Sequence, residues 1–98
     1  MKYERFEDLP VWKAAIELAN QIYALTRDNF FNQPGDLHDQ IRRASLSVSN
    51  NIAEGFERGT TPELLVFLYI ARGSCGEVRS MLHFIERFPQ AEHLKSEI

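Results

Sequence analysis

The stretch "EGFERGTTPE", residues 54–63, constrains this chain more than any other. It lies between two long segments whose apolar residues recur at helical spacing. Upstream, Leu37, Ile41, Ala44, Val48 and Ile52 follow one another by four and three. Downstream, Leu64, Phe67, Ala71, Ser74, Val78, Leu82 and Ile85 keep the same rhythm. Side chains three and four apart share one face of a helix, so each segment carries one stripe to bury. A connection as short as "FERG" sends the later helix back along the earlier one. Gly55 reads as the stop of the upstream helix, because glycine takes positive φ without strain. Thr60 and Glu63 have the spacing of a capping box, and Pro62 suits a first turn that needs no N–H. The expected spans are about 36–54 and about 61–87.

A further helix is expected earlier, over about 9–27. Pro10 fits its first turn, and Asp8 is placed to cap it. Val11, Ala15, Leu18, Ile22 and Leu25 form one stripe, and Trp12, Ile16, Ala19 and Tyr23 an adjacent one. This face is wider than a single neighbouring helix requires. It suits burial between two helices, or an oligomer contact sealed by Trp12 and Tyr23. "RDNFFNQPGD" is a loop by its Asn, Pro and Gly. Pro89 ends the third helix, and "QAEHLKSEI" reads as the start of a fourth from about residue 90. No stretch alternates as a strand would. The expectation is one all-α domain over 1–98, an antiparallel up-and-down bundle of three long helices plus a short or truncated fourth.

Composition narrows the function. With 98 residues, the chain suits one modest core. A net charge of −3 supplies no global basic field for nucleic acid. Cys75 is the only cysteine, which excludes an internal disulfide and fits a reducing compartment. The charged start "MKYERFEDLP" lacks a signal-peptide core, and no apolar run is long enough to span a bilayer. A cytoplasmic protein without membrane contact is expected. His38, His83 and His93 lack metal-ligand spacing. Cys75, between small residues near the apolar stripe, reads as a buried inert thiol. The serines of "SLSVS" lack a nucleophile elbow, and no phosphate-binding glycine loop occurs. No catalytic residue, metal site or cofactor is assigned, and the chain reads as non-enzymatic.

The polar positions hold more information. Gln40, Arg43, Ser47, Asn50 or Asn51, and Glu54 run along one edge of the second helix. In an antiparallel hairpin, residues whose numbers sum to roughly 115–120 lie opposite one another. Glu54 and Asn51 are therefore expected to lock the turn, Glu54 at the free N–H groups of the third helix. Arg43 is expected to pair with Glu77. Gly73 and Gly76 cost the third helix roughly 1 kcal/mol each, which a close backbone approach would offset. That approach falls either inside the bundle or between subunits. Arg42, Arg43, Arg58, Arg72 and Arg79 are the candidate nucleic-acid contacts, set against the plainer reading of a solvated, salt-bridged surface.

The blocks "FEDLPVWKAA", "QIRRASLSVSNNIAEGFERGT" and "FLYIARGSCGEV" resemble, in order and spacing, the four-helix-bundle family also called the 23S ribosomal RNA intervening-sequence protein family. The resemblance is strong from Phe6 to about Glu77 and weaker beyond. Gln40, Arg42, Arg43, Ala44, Ser47, Asn51, Ile52, Ala53, Glu54 and Gly55 carry its most specific part. It implies an up-and-down four-helix bundle that often closes as a ring-like homopentamer. Members are encoded within large-subunit ribosomal RNA genes of some bacteria, or as free-standing genes. A related branch is the accessory protein of diversity-generating retroelements, where a basic pentamer binds nucleic acid and a reverse transcriptase. The family offers no catalytic residues to carry over. This chain departs from it in a fourth helix half built or less, and in its acidic balance. The expected function is a self-associating helical scaffold with RNA, a ribonucleoprotein or a protein as partner. The alternative is a nucleic-acid-binding accessory subunit of a reverse transcriptase or similar enzyme.

Overall fold

The computed structural model of the chain describes residues 2–32 and 35–97. Three long helices dominate: α1 (Pro10–Leu25), α2 (Leu37–Glu57) and α3 (Thr61–Ile85). Short 3₁₀ turns at Phe6–Asp8 and Asn29–Asn32 precede α1 and α2, and a 3₁₀ segment, Pro89–Glu97, follows α3. No strand occurs among the described residues. The fold is all-α, an antiparallel bundle of three long helices and a short fourth. At 1.5 Å per residue, the 25 residues of α3 span about 37 Å, most of the 47 Å long axis of the molecule.

The apolar stripes meet as their spacing requires. Ile41, Val48 and Ile52 of α2 are buried, as are Ile22 and Leu25 of α1 and Ala71, Val78 and Ile85 of α3. They divide into two clusters along the axis. One gathers Ala15, Val48, Ile52 and Ala71, with Trp12, Leu18 and Leu68 packed on it. The other gathers Ile22, Leu25, Phe31, Ile41, Val78 and Ile85, and here the C-terminal segment adds Ala91 and Leu94. The short fourth element thus completes only one half of the bundle. At the other end Val11, read from sequence as core, is 50 % exposed because no described part of the chain covers it.

The helix ends correct two expectations. Gly55 does not stop α2. It is buried inside the helix, and a Cβ there would stand 2.6 Å from the Phe67 Cβ and 3.3 Å from the Leu64 carbonyl. The missing side chain lets α3 lie against α2. The chain turns instead at Gly59, with φ +87°. Asp8 does not cap α1. It belongs to the preceding 3₁₀ turn, and Leu9 is the N-cap, its carbonyl accepting the Lys13 N–H at 3.1 Å. Thr60 does cap α3: its Oγ1 accepts the Glu63 N–H at 3.4 Å and donates to the Glu63 carboxylate at 2.9 Å. Helix α3 ends at Ile85, two residues before the expected limit of about 87.

One contact ties the C-terminal segment to the α1–α2 connection. The Asp28 carboxylate accepts the Phe30 N–H at 2.9 Å and the His93 Nε2–H at 3.0 Å. The Phe30 N–H first, and His93 second, hold this carboxyl below the usual carboxylate range. A carboxyl lowered by folding contributes stability above its unfolded value and loses it as pH falls through the folded one. Asp28→Asn should therefore remove part of the loss of thermal stability seen on acidification through and below the carboxylate range. Parallel acid melting curves for the variant and the parent would contradict this tie. Gly55→Ala should destabilise by about 1–3 kcal/mol, since the backbone and Phe67 must shift. Gly76→Ala, where a Cβ meets nothing within 4 Å, should stabilise by up to about 1 kcal/mol. Urea unfolding of both variants checks this, and an unchanged midpoint for Gly55→Ala would refute the close approach.

Candidate functional site

Three polar side chains join α2 to α3. Ser47 Oγ and Ser74 Oγ lie 2.9 Å apart. Asn51 Nδ2 donates to the Ser47 carbonyl at 2.8 Å and to Ser47 Oγ at 2.9 Å. With Asn51 supplying a proton to its oxygen, the Ser47 hydroxyl is free to donate to Ser74. Ser74 is buried and Asn51 half-buried, and no buried side-chain N or O lacks a partner among the described residues. Each such bond adds about 1 kcal/mol net, and leaving one partner buried alone would cost more.

Glu54 takes a different place. Its carboxylate is half exposed and lies 3.9 Å from Arg58, which lies 3.8 Å from Glu63. The Arg58 guanidinium sits over the Phe67 ring, 4.9 Å from its centre. This exposed chain of charges spans the α2–α3 turn, while Thr60 satisfies the first turn of α3. Gln40 donates to Asp36 at 2.6 Å. Arg43 and Glu77 line one shallow groove of about 280 Å³ with Gln40, Ser47, Ser74 and Met81. No ion pair joins them.

The arginines separate into distinct environments. Arg42 is fixed within the chain: its Nε donates to Thr26 Oγ1 at 2.7 Å, Nη2 to the Tyr23 carbonyl at 3.4 Å, and its guanidinium lies 4.2 Å from the Tyr23 ring centre. Thr26 is buried and passes its own proton to the Ile22 carbonyl at 2.8 Å, so Arg42 staples α2 to the end of α1. Arg42 and Arg43 share a shallow pocket with Tyr23, His38, Asp39 and Leu46. There His38 first, then Arg43 and Arg42, hold the Asp39 carboxyl low. Arg72 lies elsewhere, beside Leu65, Leu68 and Tyr69. Among the described residues Arg43, Arg72 and Arg79 have no carboxylate at ion-pair distance. Trp12 is half-buried on its cluster and meets Phe6 edge-on at 5.4 Å.

The outward side of α3 carries apolar residues that lie outside the expected core stripe. Leu65, Val66, Tyr69, Ile70 and Phe84 are each about half exposed or more, Tyr69 the most at 69 %. The signal was present: "LLVFLYI", residues 64–70, is apolar all round, which a helix packed on one side does not need. Gly73 and Gly76 face outward, where a Cβ on either would meet nothing within 4 Å. The close approach inside the bundle is at Gly55, so these two glycines do not serve an internal crossing. Cys75 is exposed, not buried as its small neighbours implied, because it lies off the line of Ala71, Ser74 and Val78. Among the described residues no three His, Cys, Asp or Glu side chains form a group able to hold a metal ion. No described helix is long and apolar enough to cross a membrane.

Comparison with curated proteins and with solved structures finds no match. A family profile does match: that of the 23S rRNA-intervening sequence protein, over residues 7–96. That match runs from the first 3₁₀ turn through the helical hairpin into the C-terminal segment, and the chain belongs to the 23S rRNA-intervening sequence protein family.

Proposed function

We propose that this protein is a non-enzymatic, self-associating helical scaffold of the cytoplasm. The observation that carries the reading is the apolar outward face of α3. Leu65, Val66, Tyr69 and Ile70 stand together on adjacent turns, each between 47 % and 69 % exposed. Burying apolar area contributes about 25 cal/mol per Å² before the cost of association, and a contiguous exposed patch of this kind marks a contact surface. The internal polar groups support the same reading. Asn51, Ser47, Ser74, Thr26 and Arg42 are engaged in holding the helices together.

Engagement of RNA is a second reading, and it has one observation in its favour. Arg43, Arg72 and Arg79 lack ion-pair partners among the described residues, and assembly would multiply them. Phosphate contacts of this kind weaken steeply as salt rises. An accessory role beside a reverse transcriptase belongs to this second reading and needs the same contacts.

Light-scattering mass, recorded with the 260-to-280 nm absorbance ratio, tests both. The scaffold reading expects a multiple of the 11.4 kDa chain, near five copies if the ring implied by the family resemblance forms, with the absorbance of bare protein. Tyr69→Lys combined with Leu65→Lys should reduce that mass. A monomer at all concentrations contradicts self-association. An assembly that co-purifies with nucleic acid and releases it in salt supports the RNA reading instead.

A further inference from the structure

We propose that Arg43 and Glu77 pair between copies of this chain, Arg43 of one with Glu77 of the next, and so set the register of the assembly. This rests on the self-association proposed above and names the contact that orders it. Both side chains are exposed and line the same groove between α2 and α3. The groove floor makes no claim on either charge, because Ser47 and Ser74 are satisfied by each other and by Asn51. Neither charge has a partner at ion-pair distance among the described residues, Arg43 acting on Asp39 only from farther off, although the hairpin brings both to one groove.

Glu77 also belongs to a seam on α3. Val66, Ile70, Gly73, Glu77 and Phe84 follow at steps of four, three, four and seven, the average 3.5-residue period by which one helix reads another. Val66, Ile70 and Phe84 are 56 %, 47 % and 52 % exposed. Gly73 removes a side chain from the middle of the seam, so a neighbouring backbone can come close. An apolar seam with a carboxylate inside it and an arginine beside it has a definite complement. A partner of one sign would answer one charge and bury the other unpaired, which is strongly unfavourable. A second copy brings both an arginine and a carboxylate, and both charges are met. The pairing holds whether the copies form a two-fold contact or repeat around a ring.

Charge reversal with mixing tests this. Arg43→Glu and Glu77→Arg are made separately, and circular dichroism confirms that each folds. Each variant alone places like charges in contact and should associate at least about tenfold more weakly than the parent in sedimentation analysis. Mixing the two variants in equal amounts should restore association fully in a two-fold contact or an even ring, and in four contacts of five in a ring of five, because each variant supplies the charge the other needs. A pair formed within one chain gains nothing from mixing. If either variant alone assembles like the parent, or if the mixture fails to recover, the proposal is overturned while self-association stands. A parent chain that never assembles overturns both.

Discussion

Phe67 rests on the backbone of α2 at Gly55, and the arrangement of the bundle depends on that contact. A side chain at residue 55 would occupy the space of the Phe67 Cβ. Without one, α3 lies close enough to α2 for Ser47 and Ser74 to share a hydrogen bond. Phe67 in turn carries the Arg58 guanidinium across the turn. The polar lock therefore follows from a steric permission: remove the close approach and the buried Ser74 hydroxyl is carried away from its partner Ser47. Helix α2 holds the central position, with α3 on one side and α1 on the other, the latter fixed by Arg42 through Thr26 and Tyr23.

This geometry leaves α3 half used. One side of it packs on α2, and Leu68 and Ala71 meet the cluster shared with α1. The C-terminal segment adds cover near Val78 and Ile85 through Ala91 and Leu94. Around Leu65, Val66, Tyr69 and Ile70 no described residue does so. An outward apolar surface on the longest helix, with Gly73 and Gly76 next in line, is poorly explained by the needs of one chain and well explained by contact between chains. The family match covers residues 7–96 and so includes the hairpin that presents this surface.

Much of the fold was legible in the sequence because helical spacing reports burial directly. Ile41, Val48, Ile52, Ala71, Val78 and Ile85 were all placed on core stripes and are all buried. Thr60 was legible as a cap because its chemistry is local. Gly55 was misread because glycine serves two purposes, positive φ and close approach, and only the position of Phe67 distinguishes them. Val11 was misplaced because helical spacing reports a shared face without saying that a neighbour covers every turn of it, and no described residue covers Val11. Cys75 was misplaced because small neighbours indicate space without saying whether it is filled. At the candidate site, Asn51 and Ser47 were visible as a ladder, but their link to Ser74 required the hairpin register. The role of Arg42 depended on Thr26, a residue that no local pattern singles out.

On the proposed reading, another copy of the chain covers the outward face of α3. Carbene footprinting followed by mass spectrometry measures this directly, at concentrations below and above the onset of association. Leu65, Val66, Tyr69 and Ile70 should be labelled in dilute solution and protected on concentration, while exposed sites on α1, such as Lys13 and Glu17, keep constant labelling. Equal labelling of the α3 residues at both concentrations, in a sample whose mass has increased, would place the interface elsewhere on the molecule.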